Sequence, residues 1–248
     1  MSYSIPTLVE MLSAGMHFGH RSSRWHPKMK PYIFAERNGV HVIDLEKTAE
    51  LLVKALNYLR DTVAAGGTVL IVGSKEQARA ITERVGKETG MPFVHLRWLG
   101  GTLTNFHMLK NNLFGRYLDI KSQRDKGELG KYTKKEQLDI NKKIEEQDVK
   151  IGGFASLAKL PEAIFIIDLK TEATAFAEAL ETNVPIVAIC DTNVNPDGVA
   201  YPIPANDDAV KSIDLIMTLV AEAIKEGKKL YVDRPVMPAP GAAPFVKD

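Results

Sequence analysis

The segment HFGHRSSRWHPKMK, from His17 to Lys30, gathers four cations, three imidazoles and two aromatic rings with no carboxylate among them. Arg21, Arg24, Lys28 and Lys30 have the chemistry to meet phosphates, and Trp25 or His26 can stack on or pack against a nucleotide. Its apolar residues follow neither the 3.6 period of a helix nor the 2.0 period of a strand, so a basic loop is expected. A solvated loop with Trp25 tucked into the core has the same composition, and both readings stand at this point. His17 and His20 have the spacing that puts two imidazoles on one helical face. The segment does not read as a helix, however, and spacing indicates no third ligand, so no metal is expected.

Enzymatic chemistry is poorly represented. The turn Gly73-Ser74-Lys75 after the apolar run TVLIV lacks the two glycines four residues apart of a phosphate-binding loop. The dinucleotide fingerprint G-x-G-x-x-G is also absent. Ser74 is the expected N-cap of the following helix. Asp168 and Asp191 each end an apolar run, IFIID and VAICD, where open parallel sheets bind ligands. They can hold a magnesium ion or simply form turns and caps. These aspartates define the alternative reading, a nucleotide- or phosphate-dependent α/β enzyme. Cys190 lies in an apolar run and is expected to be buried and inert. A second block, RWLGGTLTNF, puts Arg97 beside Trp98 and follows them with two glycines suited to a sharp reversal. Thr104 or Asn105 is the expected cap of the next helix.

Composition narrows the class. A chain of 248 residues with 45% hydrophobic and 25% charged residues is an ordinary globular protein. Its formal net charge is only +1, so any polyanion contact must come from local patches. Residues 1–40 supply one, with Arg21, Arg24, Lys28, Lys30 and Arg37 against Glu10 and Glu36. The single cysteine excludes an intrachain disulfide and a Cys-rich zinc site. The start MSYSIPTLVE lacks signal-peptide character, and no apolar run is long enough for a membrane span, so a cytoplasmic protein is expected.

The elements that must position these residues follow from periodicity. Thr7 to Ala14 reads as a short helix, and Asn38-Gly39 as the tight turn of a hairpin joining Tyr32–Phe34 to Val40–Ile43. Leu45, Thr48, Leu52, Ala55, Leu56, Leu59 and Val63 mark one helix face that ends at Gly66-Gly67. Strands are expected at Thr68–Val72, Pro92–Leu96, Ala163–Ile167 and Pro185–Ile189. Helices are expected over residues 74–88, 171–181 and 209–225. This alternation predicts a parallel sheet with helices on both sides.

Residues 103–150 break the pattern. Phe106, Leu109, Leu113 and Ile120 form one helical seam, and Ile140, Ile144 and Ile151 a second. Thr133 to Glu136 matches a capping box between them. The expected organisation is an α/β domain over 1–102 and 151–234, an antiparallel helical (coiled-coil) hairpin over 103–150, and a flexible tail over 235–248. The hairpin has eleven Lys or Arg against eight Asp or Glu between residues 110 and 150, the usual balance of a solvated helix surface.

Several blocks together resemble one family. AGMHFGHRSSRWHPKMKPYIFAERNGVHVIDLEKT, RWLGGTLTNF, LPEAIFIID and PIVAICDTNVNPDGVAYPIPANDDAVKSI are similar, in order, to the bacterial small-subunit ribosomal protein two family across nearly the whole chain. Leu169, where the family often has Pro, and the pair Ser22-Ser23 are modest departures. The resemblance implies a Rossmann-like, flavodoxin-like three-layer α/β/α domain with a mostly parallel sheet and a protruding helical hairpin. It implies a structural, non-enzymatic role without cofactor or small-molecule substrate. The implied partners are small-subunit ribosomal RNA near the head–body junction and neighbouring small-subunit ribosomal proteins, including ribosomal protein one. Arg21, Arg24, Trp25, His26, Lys28, Lys30 and Arg97 are the expected RNA-binding residues.

Overall fold

The computed structural model describes residues 5–232; the expected tail at 235–248 lies outside the described residues. Helix α1 (Leu8–Ser13) opens with a capping box in which Thr7 and Glu10 satisfy each other's free groups. Strands β1 (Phe18–Arg21), β2 (Ile33–Arg37) and β3 (Val40–Ile43) form an antiparallel sheet in the order β1-β3-β2. Asn38 and Gly39 both have positive φ, as the tight hairpin turn requires. The basic segment is therefore not a loop throughout. Its first residues, Phe18 to Arg21, form a third strand on the predicted hairpin, and two 3-10 turns, Ser22–Arg24 and Pro27–Tyr32, carry the rest. Gly19 and a bulge between Phe18 and Arg21 erase the alternation by which a strand is recognised.

Helix α2 (Leu45–Ala64) starts at Asp44, whose carboxylate accepts from the amides of Glu46 and Lys47. The main sheet follows, with β4 (Val69–Val72), β5 (Phe93–Val94), β6 (Ala163–Ile166), β7 (Ile186–Cys190) and β8 (Tyr201–Pro204). All its pairings are parallel, in the order β5-β4-β6-β7-β8. This is the flavodoxin-like arrangement predicted as fold class. Strand β8 was not anticipated, because Pro202 and Pro204 read as turn residues. They are tolerated there because β8 is an edge strand. Strands β4, β6 and β7 are buried along their whole length, which explains their unbroken apolar runs.

Alternate residues of those runs enter two cores. Val69, Ile71, Phe165, Val187 and Ile189 pack with α2, α3 (Glu76–Thr89) and α8 (Val210–Val232). Leu70, Val72, Ile164, Ile166 and Ala188 face α7 (Ala173–Glu181) and the root of the helical arm. The arm runs out through α4 (Phe106–Leu109), a π turn at Lys110–Phe114 and α5 (Gly115–Asp125), and returns as α6 (Lys134–Ile151). A π turn holds one residue more than an α turn, so it rotates everything beyond it. Accordingly Phe114 and Tyr117 are buried, while Ile120, assigned by spacing to the seam, is 40% exposed. The return seam is as expected, with Ile144 and Ile151 buried, and Thr133 and Glu136 form the predicted capping box. Tyr117 and Lys121 both reach Asp148 across the hairpin.

Two expected caps are corrected. α3 begins at Glu76 with Lys75 in the cap position and no side-chain cap; the Ser74 amide instead donates to Glu172. Asn105 precedes α4 without a side-chain hydrogen bond, because the turn before it is held from outside by Glu178.

Candidate nucleic-acid interface

The basic segment is fastened to the loop that follows β7. The His20 amide donates to Thr192 Oγ1 at 2.8 Å and the His26 amide to the Thr192 carbonyl at 2.8 Å. A Cβ at Gly19 would lie 2.5 Å from Thr192 Cγ2, so only glycine permits this approach. Met29 is fully buried beneath the second 3-10 turn, and His26 Nδ1 caps that turn by accepting from the Lys28 amide. These ties hold the backbone while most of the charged side chains point outward.

Arg21, Arg24 and Lys30 are exposed and form no ion pair among the described residues. Lys28 is exposed and pairs with Asp197 at 3.1 Å, a contact open to water on both sides. Trp25 is half-buried with its ring 5.1 Å from His41, tilted by 45°. It is thus packed on one side and accessible on the other. His26 is likewise half-buried. These six residues lie within one ten-residue stretch, none of them fully buried. Arg97 is exposed but stands apart, beyond β5 at the opposite edge of the sheet. Three strand spacings separate β5 from β7, about 14 Å.

Beside the segment lies a charge network that sequence reasoning did not assemble. Lys75 Nζ is 2.7 Å from Asp207, 2.6 Å from Asp208 and 3.2 Å from Asp168. Burial alone depresses this ammonium, but its hydrogen bonds to Asp207 and Asp208 and the charge of Asp168 outweigh it, and its pKa is raised. Asp168 responds oppositely. Burial works against its charge, yet the Thr171 hydroxyl, Lys75 and two backbone amides hold its pKa below the usual range. Asp207 is pushed up to about 7 by burial and by the charges of Asp191 and Asp168.

His20 joins this network to the basic segment. Its Nδ1 lies 3.1 Å from Asp191 and its Nε2 3.4 Å from Asp208. The Asp191 carboxylate raises its pKa against the opposing effect of burial. His20, Asp191 and Asp208 offer three ligand atoms within 4.8 Å of one another. The neighbours of His20 in this cluster are thus two aspartates from distant sequence and not His17. His17 takes no part; its ring lies against Phe18 at 3.9 Å. No signal along the chain links His20 to Asp191 or Lys75 to Asp207, because only the parallel sheet brings strand ends together.

The geometry speaks against the enzyme reading. Asp168 is engaged by Lys170, Thr171 and Lys75, and Asp191 by Thr192, Asp207 and His20. The free amide at Ser74, where a phosphate oxygen would sit, is filled by Glu172. An incoming phosphate would meet a group of carboxylates. Cys190 is fully buried and its thiol is pushed far up by burial, so it is no nucleophile.

A flavodoxin-like sheet whose ligand-binding edge is closed by its own ion pairs defines a scaffold rather than a catalyst. Comparison with known proteins sharpens that class. The family described as ribosomal protein S2 matches residues 11–227. The small ribosomal subunit protein uS2 of Dehalococcoides mccartyi (strain BAV1) is 46% identical over 219 residues, covering 88% of this chain and 89% of that protein. Its counterpart from Coprothermobacter proteolyticus is 43% identical over 226 residues, with 91% and 84% covered. That from Micrococcus luteus is 44% identical over 225 residues, with 90% and 78% covered. The chain belongs to the ribosomal protein S2 family. It is a structural ribosomal protein and not an enzyme.

Proposed function

We propose that the chain is a constituent of the small ribosomal subunit in the cytoplasm, and that it binds small-subunit ribosomal RNA near the head–body junction. Arg21, Arg24, Lys28 and Lys30 meet phosphates, Trp25 and His26 pack against a nucleotide, and Arg97 makes a separate contact from the far edge. The observation that carries this reading is the set of exposed cations, unpaired among the described residues save for Lys28, on a backbone pinned at Thr192. A pre-organised segment loses little entropy on binding. The domain division accompanies the reading: the discontinuous α/β domain, 1–102 and 151–234, holds the segment, and the hairpin at 103–150 reaches a further part of the subunit.

Neighbouring small-subunit proteins, ribosomal protein one among them, are the protein partners. The surface suited to an apolar protein segment is a groove lined by Leu8, Leu12, Phe18, Phe34 and Val42, in which Phe34 is 73% exposed.

The test uses small subunits stripped of this protein, titrated with the full chain at several salt concentrations. Replacing Arg21, Arg24 and Lys28 together by alanine is expected to weaken binding and reduce the log–log salt slope by about two to three units. An unchanged affinity and slope removes the segment from the interface.

A further inference from the structure

Glu178 of α7 is 7% exposed, and no basic side chain pairs with it among the described residues. Its partners all come from one distant turn. Oε1 accepts from the Trp98 indole at 3.0 Å and from the Gly101 amide at 2.7 Å. Oε2 accepts from the Leu103 amide at 2.9 Å and more weakly from the Thr104 amide at 3.4 Å. Gly101 is in the left-handed region at φ +84°, which turns its amide inward beside those of Leu103 and Thr104. Three amides and an indole thus form an anion cradle, and the protein fills it with its own carboxylate.

The turn held in this way carries two features used by the proposed function. Arg97 immediately precedes the clamped Trp98, and α4 begins one residue after Asn105, whose amide donates to the Gly101 carbonyl. The Phe93 amide donates to the carbonyl of Gly153 in the segment that returns from the arm, while farther along the outgoing limb Phe114 meets Phe154 edge-on and Lys110 donates to the Ala158 carbonyl. The outgoing connection from β5 has no regular structure before α4, and Glu178 supplies its cross-link to the body of the protein. Because the amides are already satisfied, an external phosphate has no access to them, and contact at this loop falls to the Arg97 side chain.

We infer that Glu178 is the positioning residue of the second RNA contact: its carboxylate fixes the 98–104 turn and so sets where Arg97 is presented. The inference rests on the reading that Arg97 meets ribosomal RNA. Glu178→Gln preserves size but faces an amide nitrogen toward one pair of donors. The Leu103 and Thr104 amides, or else the Trp98 and Gly101 donors, then lose protection in hydrogen exchange.

Binding to stripped small subunits separates the possibilities. Arg97→Ala and Glu178→Gln are each expected to lower the salt slope by about one unit and to weaken binding by a similar factor. The double variant is expected to bind no worse than Arg97→Ala, whereas Glu178→Gln combined with Arg24→Ala shows the product of the two losses. Trp98→Phe, which keeps an aromatic ring and removes the indole donor, gives a smaller loss of the same kind should Glu178→Gln not fold. Arg97→Ala binding as tightly as the wild type overturns both the Arg97 contact and the inference. Loss on Arg97→Ala with none on Glu178→Gln, or full multiplication of their losses, overturns the positioning role alone.

Discussion

Two groups of basic side chains lie at the carboxyl end of the same sheet, and they are used in opposite ways. Lys75 and His20 are turned inward among Asp168, Asp191, Asp207 and Asp208. Arg21, Arg24 and Lys30 are turned outward and left without counter-charge among the described residues. The first group converts a ligand-binding edge into a structural joint; the second leaves the element fastened to that joint with positive charge facing outward. A net charge of +1 conceals both. What matters for a polyanion is which charges are neutralised internally, and that is a property of pairing rather than of composition.

The largest expected effect comes from breaking the inward group. Lys75→Ala leaves Asp168 and Asp207 buried without their cation and is expected to cost about 3–5 kcal/mol of stability, measurable by denaturant unfolding. The outward group predicts the contrary pattern: Arg24→Ala leaves the unfolding midpoint in place while lowering affinity for stripped small subunits. A large stability loss from Arg24→Ala, or none from Lys75→Ala, erases the distinction.

The joint between the groups comes next. Gly19→Ala forces a methyl into Thr192 and is expected to destabilise the protein by about 1–3 kcal/mol. It should also weaken subunit binding although no cation is removed, because the segment is pushed off its anchor.

A pH experiment sharpens the inward side. Burial raises the Glu172 carboxyl above its ordinary value of 4.5, assisted by the charge of Asp168 and opposed by its bonds to Ser74. The folded state therefore keeps the proton over a window in which the unfolded chain has released it. Glu172 contributes stability below the unfolded pKa and loses it as pH rises through the folded one. In Glu172→Gln the acceptor for the Ser74 amide remains and the charge is gone. The fall in stability with rising pH just above 4.5 should shrink, as read by melting temperature across a pH series; an identical profile sinks the assignment.

The smallest expected effect is at Lys28. Its pair with Asp197 is solvent-exposed, so Lys28→Ala should change stability by less than about 1 kcal/mol. Asp197→Ala, by freeing that cation, should tighten subunit binding slightly rather than weaken it.

Much of the fold was legible along the chain because its signals are local. The apolar runs of β4, β6 and β7, the face of α2, the Asn38-Gly39 turn and the capping box at Thr133 depend on residues a few positions apart. Legibility failed where a neighbour in space overrides the local pattern. Strand β1 loses its alternation to Gly19 and a bulge, and β8 hides behind prolines that only an edge position tolerates. The arm seam slips at the π turn, so Ile120 is outside and Tyr117 inside. In the proposed site, the cations and rings from Arg21 to Lys30 were readable by type, and Arg97 by its block.

By itself, then, the sequence determined the class of fold, the family and the stretch of chain where positive charge is concentrated. These follow from periodicity, block order and residue type, which need no knowledge of what folds against what. Tertiary structure alone decided that His20 belongs with Asp191, that Lys75 closes the sheet edge and that Glu178 holds the turn beside Arg97. Each of those partnerships joins residues 74 or more positions apart, brought together only when the strands pair and the helices pack on them. Buried charges and amides must then find partners wherever the fold has placed them, and no local rule names those partners in advance.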